Sequence, residues 1–442
     1  MGMKCLIIAA GKGSRLRQLG DSKPLIPILG LPLIERVIRI AMEAGADDFY
    51  VVTGYQEKLV RIFLADLTGR LGCRITPIFN RDWEKENGLS VLRAREYLQK
   101  PFLLLMADHL FDPSIARDLI ELALSDGEIA LGVDRDTHNF FIDKEDVTRV
   151  KVNAEKILNI GKGLMDFNGF DTGIFKCTPA IFGALEPGVK KDGDATLSGA
   201  IRILAAAGKA RAVEINGRFW IDVDDPAALS RAEDVILTHL KAKPSDGPVS
   251  RYINRPFSVM ISRRLVNHRI TPNQISLFSF LCSVLAAGLF ALNGYLALLL
   301  GGFVAQFASI VDGCDGEVAR LTYQSSSYGG WFDAVLDRYA DAFLLFGLMW
   351  HAYTDRTDGL ILLFGFLAII GSFMLSYTAD KHDSLMRDRV NRGWGLRMGR
   401  DIRVFLIFLG AIFNQAYLTL VVIAALMNIA TIHRLIICRD HG

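Results

Sequence analysis

Two different hydrophobic rhythms divide the chain. From Lys4 to about Leu240, short apolar runs at Cys5–Ala10, Phe49–Thr53, Phe102–Met106 and Ile129–Val133 alternate with stretches of helical period such as Ile34–Ala44 and Ser114–Leu124. Such short runs read as fully buried strands, and their alternation with amphipathic helices predicts an α/β Rossmann-like domain on a parallel sheet over residues 1–240. From His239 to Pro256 the sequence turns rich in Pro, Gly, Ser and charge, which marks a linker over 241–255. Past it come uncharged runs at Ile275–Leu292, Leu296–Val311, Phe343–Met349, Leu360–Leu375, Val404–Phe413 and Ala416–Ile432. A helix needs about 20 apolar residues to cross a bilayer, so these runs with their polar ends predict an all-α domain of six transmembrane spans over 256–442.

Loop charge sets the expected orientation. The segment Asp380–Arg403 holds Lys381, Arg387, Arg389, Arg392, Arg397, Arg400 and Arg403, whereas Asn293–Tyr295 and Asn414–Gln415 hold no Lys or Arg. Basic loops stay on the cytoplasmic side, which places both termini in the cytoplasm and the chain in the cell membrane. Fifty Lys+Arg against 48 Asp+Glu leave a net charge of +2, too little surplus for a binder of nucleic-acid backbone. Cys5, Cys73, Cys177, Cys282, Cys314 and Cys438 contain no C-x-x-C pair, so neither a zinc site nor a disulfide framework is expected. The N-terminal run ends in Gly and Arg and reads as a first strand rather than a leader.

The sharpest motif lies in the helical half. Asp312 and Asp315 stand i,i+3 on one helix, and Asp333 and Asp337 stand i,i+4 on the next, so each pair projects from a single face. Carboxylates converging at a membrane boundary are expensive unless cations neutralise them, and hard divalent ions are what such oxygens hold. Gly316 and Gly329 allow close approach of helices or of a diphosphate. The run D-x-x-D-G-x-x-A-R-x8-G-x3-D-x3-D resembles the signature of the CDP-alcohol phosphotransferase family, matched by Asp312, Asp315, Gly316, Ala319, Arg320, Gly329, Asp333 and Asp337. Ile270-Thr-Pro-Asn273 is similar to that family's entry into its first span, and the resemblance runs from about Val249 onward.

That resemblance implies Mg²⁺ (or Mn²⁺) on the CDP diphosphate, held by Asp312, Asp315 and Asp333, with Asp337 as the base and a further metal ligand. Gly316, Ala319, Arg320 and Gly329 would then contact the CDP-alcohol. Arg320 suits either a phosphate or a structural ion pair. Asp341 continues the face of Asp333 and Asp337 outside the motif. Arg263, Arg389, Arg392, Arg397 and Arg403 are candidates for an anionic acceptor, although such residues also serve topology and lipid headgroups.

In the first half, the strand ending at Ala10 opens into Gly11-Lys-Gly13-Ser-Arg15-Leu, then Ser-Lys23-Pro-Leu. A glycine loop after a first strand presents backbone N–H groups to phosphates, and Arg15 and Lys23 add positive charge for a triphosphate. Together these segments resemble the sugar nucleotidyltransferase family over roughly residues 3–240. The resemblance implies Asp108, at the end of an apolar strand, as a Mg²⁺ ligand. It leaves Asp222 and Asp224 competing for the second ligand position, with Asp224 preferred. Asn80, Asn87 and Ser90 match an N-x6-N-x2-S stretch of cytidylyltransferases acting on small phosphorylated alcohols, which places Asn87 and Ser90 on the nucleotide. Lys151, Lys162 and Asp171-Thr-Gly173 are weaker candidates for the incoming phosphate and polyol.

One half would make a CDP-alcohol and the other consume it. The combination resembles the bifunctional enzymes of heat-loving microbes that fuse an inositol-1-phosphate cytidylyltransferase to a di-myo-inositol-phosphate phosphate synthase. The resemblance implies that CTP and L-myo-inositol-1-phosphate give CDP-inositol, and that a second inositol-1-phosphate then accepts phosphoinositol with release of CMP. A homodimer is that family's expected assembly, with no nucleic-acid partner. A transferase with a lipid acceptor, and a silent nucleotide-sensing first half, stand as alternatives.

Overall fold

The computed structural model describes residues 2–139, 142–190, 195–241, 247–268, 270–385 and 399–440. The chain divides into two compact units, Met1–Val235 and Ile236–Gly442.

The first unit is built on a nine-stranded sheet in the order Arg74–Phe79, Ala46–Thr53, Met3–Ala9, Phe102–Met106, Gly169–Cys177, Ile129–Asp134, Ala210–Glu214, Lys156–Gly161 and Arg149–Asn153. The first four run parallel; the apolar runs within Met3–Ala9, Ala46–Thr53 and Phe102–Met106 suit strands covered on both faces, whereas the edge strand Arg74–Phe79 is partly exposed. The sheet as a whole is mixed rather than parallel. Gly169–Cys177 runs antiparallel to both of its flanking neighbours, and Arg149–Asn153 and Lys156–Gly161 form a hairpin at the edge, turning through Ala154 at φ 50°. Polar residues alternate with apolar ones in RVKVN and KILNIG, the pattern of a half-exposed antiparallel pair rather than of a buried parallel strand. Leu6, Leu104, Leu131, Phe175 and Phe182 are fully or almost fully buried in the core that holds one face of this sheet.

A small two-stranded pairing matters more for chemistry. Trp220–Asp222 runs antiparallel to His109–Phe111, with Asp222 opposite His109. This register ties the end of the central strand Phe102–Met106 to a segment more than a hundred residues later.

In the second unit, Ser250–Asn254 forms a helical turn that continues into α1 (Arg255–Leu265). There follow α2 (Pro272–Ala291), α3 (Tyr295–Leu321), α4 (Ser327–Asp355), α5 (Gly359–Leu385), α6 (Arg400–Ile412) and α7 (Ala416–Asp440). Among the described residues, α2, α3, α5 and α7 are long and apolar enough to cross a membrane. The other two expected spans are less apolar or shorter: the first half of α4 carries Asp333, Asp337, Arg338 and Asp341, and α6 has 13 residues. Small residues let these helices approach closely. A Cβ at Gly347 of α4 would stand 2.6 Å from the Ala287 carbonyl oxygen of α2. Large apolar side chains such as Leu281, Leu285, Leu296, Phe303 and Phe366 are exposed, as expected of surfaces covered by lipid.

The polar side of α1 faces inward. Glu317 of α3, fully buried, accepts hydrogen bonds from Arg255 Nη1 (2.6 Å), Ser258 Oγ (2.6 Å) and Ser262 Oγ (2.7 Å). Tyr252, Phe257 and Met260 are exposed.

Candidate functional site

In the first unit, Gly13 adopts a left-handed conformation at φ 61°, and a Cβ there would overlap the Lys23 side chain. The glycine thus lets Lys23 lie under the loop. Lys23 Nζ sits 2.5 Å from Asp108 Oδ2 and also pairs with Asp224 Oδ1. Burial works against its ammonium charge, but Asp108, Asp222 and Asp224 outweigh it and hold the amine above its ordinary value. Burial likewise opposes the Asp108 carboxylate, and Lys23 and His109 overcome it, holding Asp108 well below the usual carboxylate range. Arg15 reaches Asp146 (2.6 Å) and Asp224 (2.7 Å).

Asp108, His109 and Asp222 bring one ligand atom each within 4.8 Å of one another. Asp222 Oδ1 is buried without a hydrogen-bond partner among the described residues, and burial, with Asp108 and Asp224 beside it, pushes its carboxyl up to about 7. An orphaned carboxylate oxygen facing another carboxylate is a hard-oxygen donor pair that fits a divalent cation, and the Lys23 ammonium alongside answers the same excess of negative charge. The structure thus sets Asp222 in the cluster, while the preferred candidate Asp224 is engaged by Lys23 and Arg15.

A cavity of about 360 Å³ joins these groups to Gly11, Arg15, Asn87, Ser90, Lys162, Asp171 and Gly173. Asn87 and Gly88 open a short helix, Asn87–Leu92, rather than a turn. Asn87 Oδ1 accepts from Leu197 N–H (2.9 Å), and Ser90 Oγ accepts from Nδ2 of the buried Asn80 (3.0 Å). Lys162 holds Asp146 at 2.5 Å, and burial pushes the Asp171 carboxyl up to about 6. Lys151 is not among the residues lining the cavity and pairs with Asp166 at 2.5 Å.

Sequence reasoning passed over His109 and Asp146. His109 Nδ1 lies 2.8 Å from Asp108 Oδ1, and its ring packs against Gly173, where a Cβ would come within 2.6 Å. Burial disfavours its charge, yet Asp222 and Asp108 raise it to about 9. Its place directly after Asp108 was the available signal.

In the second unit, Asp312, Asp333 and Asp337 bring their carboxylate oxygens within 4.8 Å of one another, a donor set of hard oxygens that fits a divalent cation. Asp315 turns to Ser276 of α2 and to the Gly316 amide, and Ser279 Oγ donates to Asp312 (3.1 Å). A Cβ at Gly329 would stand 3.3 Å from Asn273 Oδ1, which joins the start of α4 to the start of α2. A Cβ at Gly316 would lie 3.2 Å from the Arg320 guanidinium, and Ala319 is partly buried on the same turn.

Arg400 was read only as loop charge. Its Nη1 lies 2.6 Å from both Asp312 and Asp337, and its Nε 3.6 Å from Asp341. Arg403, a candidate for the anionic acceptor or for lipid headgroups, is 4% exposed and pairs with Asp341 at 2.5 Å. Arg263 is exposed, and Arg389, Arg392 and Arg397 lie outside the described residues.

The profile of the MobA-like NTP transferase domain matches residues 5–169, and that of CDP-alcohol phosphatidyltransferase matches residues 269–436. The chain is thus a membrane-associated transferase with two catalytic domains. It is 35% identical to the bifunctional IPC transferase and DIPP synthase of Rubrobacter xylanophilus, over 98% of this chain and 96% of that one. The Aquifex aeolicus protein of the same name is 31% identical over 97% of this chain and 96% of its own length. The chain is also 32% identical to the archaetidylinositol phosphate synthase of Pyrococcus horikoshii, over 39% of this chain and 86% of that one. The chain belongs to the family of bifunctional IPC transferases and DIPP synthases.

Proposed function

We propose that the protein makes a phosphorylated di-inositol in two steps. In the first, a phosphate oxygen of L-myo-inositol-1-phosphate attacks the α-phosphorus of CTP, giving CDP-inositol and pyrophosphate. In the second, a hydroxyl of another inositol-1-phosphate attacks the β-phosphorus of CDP-inositol, and CMP leaves with the bridging oxygen. The observation that carries this reading is one chain holding two carboxylate clusters, Asp108–Asp222 and Asp312–Asp333–Asp337, in domains of two transferase families whose product and substrate match.

Phosphoryl transfer of this kind is governed by in-line positioning and electrostatic stabilisation. Gly11, Gly13, Arg15 and Lys23 bind the triphosphate, with Asn87 and Ser90 on the nucleotide. Asp222 joins Asp108 as a metal ligand, and Asp224 acts through Lys23 and Arg15. In the second site Asp312, Asp315, Asp333 and Asp337 form the ligand set, Asp337 also takes the proton of the attacking hydroxyl, and Gly316, Ala319, Arg320 and Gly329 hold the CDP-alcohol. Bound Mg²⁺ or Mn²⁺ offsets charge on the di- and triphosphates. The helical domain crosses the cell membrane six times with both termini and both sites in the cytoplasm, and the protein is a homodimer.

Detergent-purified protein given CTP, Mg²⁺ and inositol-1-phosphate should yield phosphorylated di-inositol and CMP, while Asp337→Ala should stop at CDP-inositol. The match of 39% of this chain to a relative named archaetidylinositol phosphate synthase favours one rival, a transfer in which one partner is a lipid. Wild-type protein that accumulates CDP-inositol until a lipid alcohol is added would replace the first reading with that one.

A further inference from the structure

Among the charged residues that line the cavity of the first unit carboxylates outnumber cations, Asp108, Asp171, Asp222 and Asp224 among them. Its cations are mostly committed. Arg15 is held by Asp146 and Asp224, Lys162 by Asp146, and Lys85 by Asp82 at 3.1 Å. Arg231 is different. It stands on the helix Pro226–Lys241, one turn beyond Ala228, and both residues line the cavity. Its Nε is buried, and the side chain enters no hydrogen bond or ion pair among the described residues.

A desolvated N–H donor without an acceptor costs stability, and such a group in a native structure calls for an absent partner. The partner that a planar guanidinium suits best is a carboxylate or a phosphate, which it can grip through two parallel N–H bonds. Asp108, Asp146 and Asp224 are taken up by Lys23, Arg15, Lys162 and His109, and Asp222 lies 3.9 Å from His109 Nδ1; none of them bonds Arg231, so the fitting partner is an anion that enters the cavity from outside.

We infer that Arg231 binds a phosphoryl group of substrate in this cavity, the chemistry shared by the triphosphate of CTP and the incoming phosphomonoester. The inference rests on the cytidylyl-transfer reading above and adds a residue that the glycine-loop and aspartate motifs do not contain. Arg231 is a binding residue here and takes no part in proton transfer.

The test compares wild type with Arg231→Met, which keeps the apolar stem and removes the charge, and Arg231→Lys, which keeps the charge and removes the fork. Loss of a charge-assisted contact should raise one KM by about 10- to 100-fold in Arg231→Met, with partial recovery in Arg231→Lys. A rise for CTP identifies the triphosphate as the ligand, and a rise for inositol-1-phosphate identifies the phosphomonoester. Transfer from supplied CDP-inositol by the second site should continue in both variants. Both KM values within about twofold of wild type in Arg231→Met would overturn the inference. If Arg231→Met does not give folded protein, Arg231→Lys carries the test alone, with about a tenfold rise expected and an unchanged KM overturning the idea. If wild type forms no CDP-inositol, the functional reading fails first. Calorimetric titration of wild type and variant with CTP and with inositol-1-phosphate then decides separately, and equal affinities for both ligands overturn the role of Arg231.

Discussion

Asp222 and Asp224 are separated by a single valine, yet they meet different surroundings. The antiparallel pairing of Trp220–Asp222 with His109–Phe111 sets Asp222 opposite His109 and leaves its Oδ1 without a hydrogen-bond partner among the described residues. The chain leaves the strand after Asp222, and Asp224 swings onto Lys23 and Arg15. In a protein whose second site is silenced by Asp312→Asn and Asp337→Asn, Asp222→Asn should weaken Mn²⁺ binding to the first unit by at least about tenfold in an electron-spin titration. Asp224→Asn should weaken it less, because it removes a partner of Lys23 rather than the orphaned oxygen. The reverse order would restore Asp224 as the ligand. The sequence could propose both aspartates from their likeness to a family segment, but only the strand register separates them. Arg400 was similarly hidden: its position in a basic loop explains topology equally well, and its bridge between Asp312 and Asp337 depends on how α6 packs.

At the scale of elements, apolar runs were sufficient where burial alone decides. The strands Met3–Ala9, Ala46–Thr53, Phe102–Met106 and Ile129–Asp134 fall on the runs read from the sequence, and the helices Leu33–Ala44 and Pro113–Glu121 on the periodic stretches. The antiparallel members of the sheet were missed because strand direction is a property of long-range pairing, on which a single run is silent. Polar contacts between elements were equally invisible. Glu35, on Leu33–Ala44, is 1% exposed and accepts from Arg39 of its own helix (2.7 Å) and Arg70 of Glu57–Leu71 (2.9 Å). Burial opposes its charge, but the hydrogen bonds of Arg70 and Arg39 prevail and hold the carboxyl below its ordinary value. A folded pKa below the unfolded one stabilises the protein above the unfolded value of about 4.3, and the gain is lost as pH falls through the folded value. Glu35→Gln should therefore destabilise the first unit by about 2 kcal/mol at pH 7, a buried-pair figure discounted for the half-exposed Arg70. The heat-inactivation midpoint of cytidylyl transfer, measured after exposure at each pH, should show a gap between wild type and variant that is constant above about pH 5 and closes below about pH 4. A gap that persists unchanged into acid would assign the effect to packing instead.

At the scale of the whole molecule, the two carboxylate clusters belong to separate compact units, and the compound that links them under the proposed reaction is a small, charged, water-soluble nucleotide. Nothing in such chemistry requires both sites of one reaction sequence to lie on the same chain. Asp108→Ala should abolish formation of CDP-inositol and leave transfer from supplied CDP-inositol in place; Asp337→Ala should do the opposite. Mixed in equal amounts in detergent, the two inactive proteins should together convert CTP and inositol-1-phosphate to phosphorylated di-inositol. A lag is expected while CDP-inositol builds up in solution, because it must leave one protein and meet another. The final rate should approach about half that of the same total amount of wild type, since half of each kind of site is intact and distant sites act independently. The time course of CMP release, with CDP-inositol followed by mass, distinguishes the outcomes. A mixture that makes CDP-inositol without passing it on, while Asp108→Ala still consumes added CDP-inositol, would mean that the intermediate is retained within one molecule. The fusion would then serve transfer between sites, and not only their joint production from one chain.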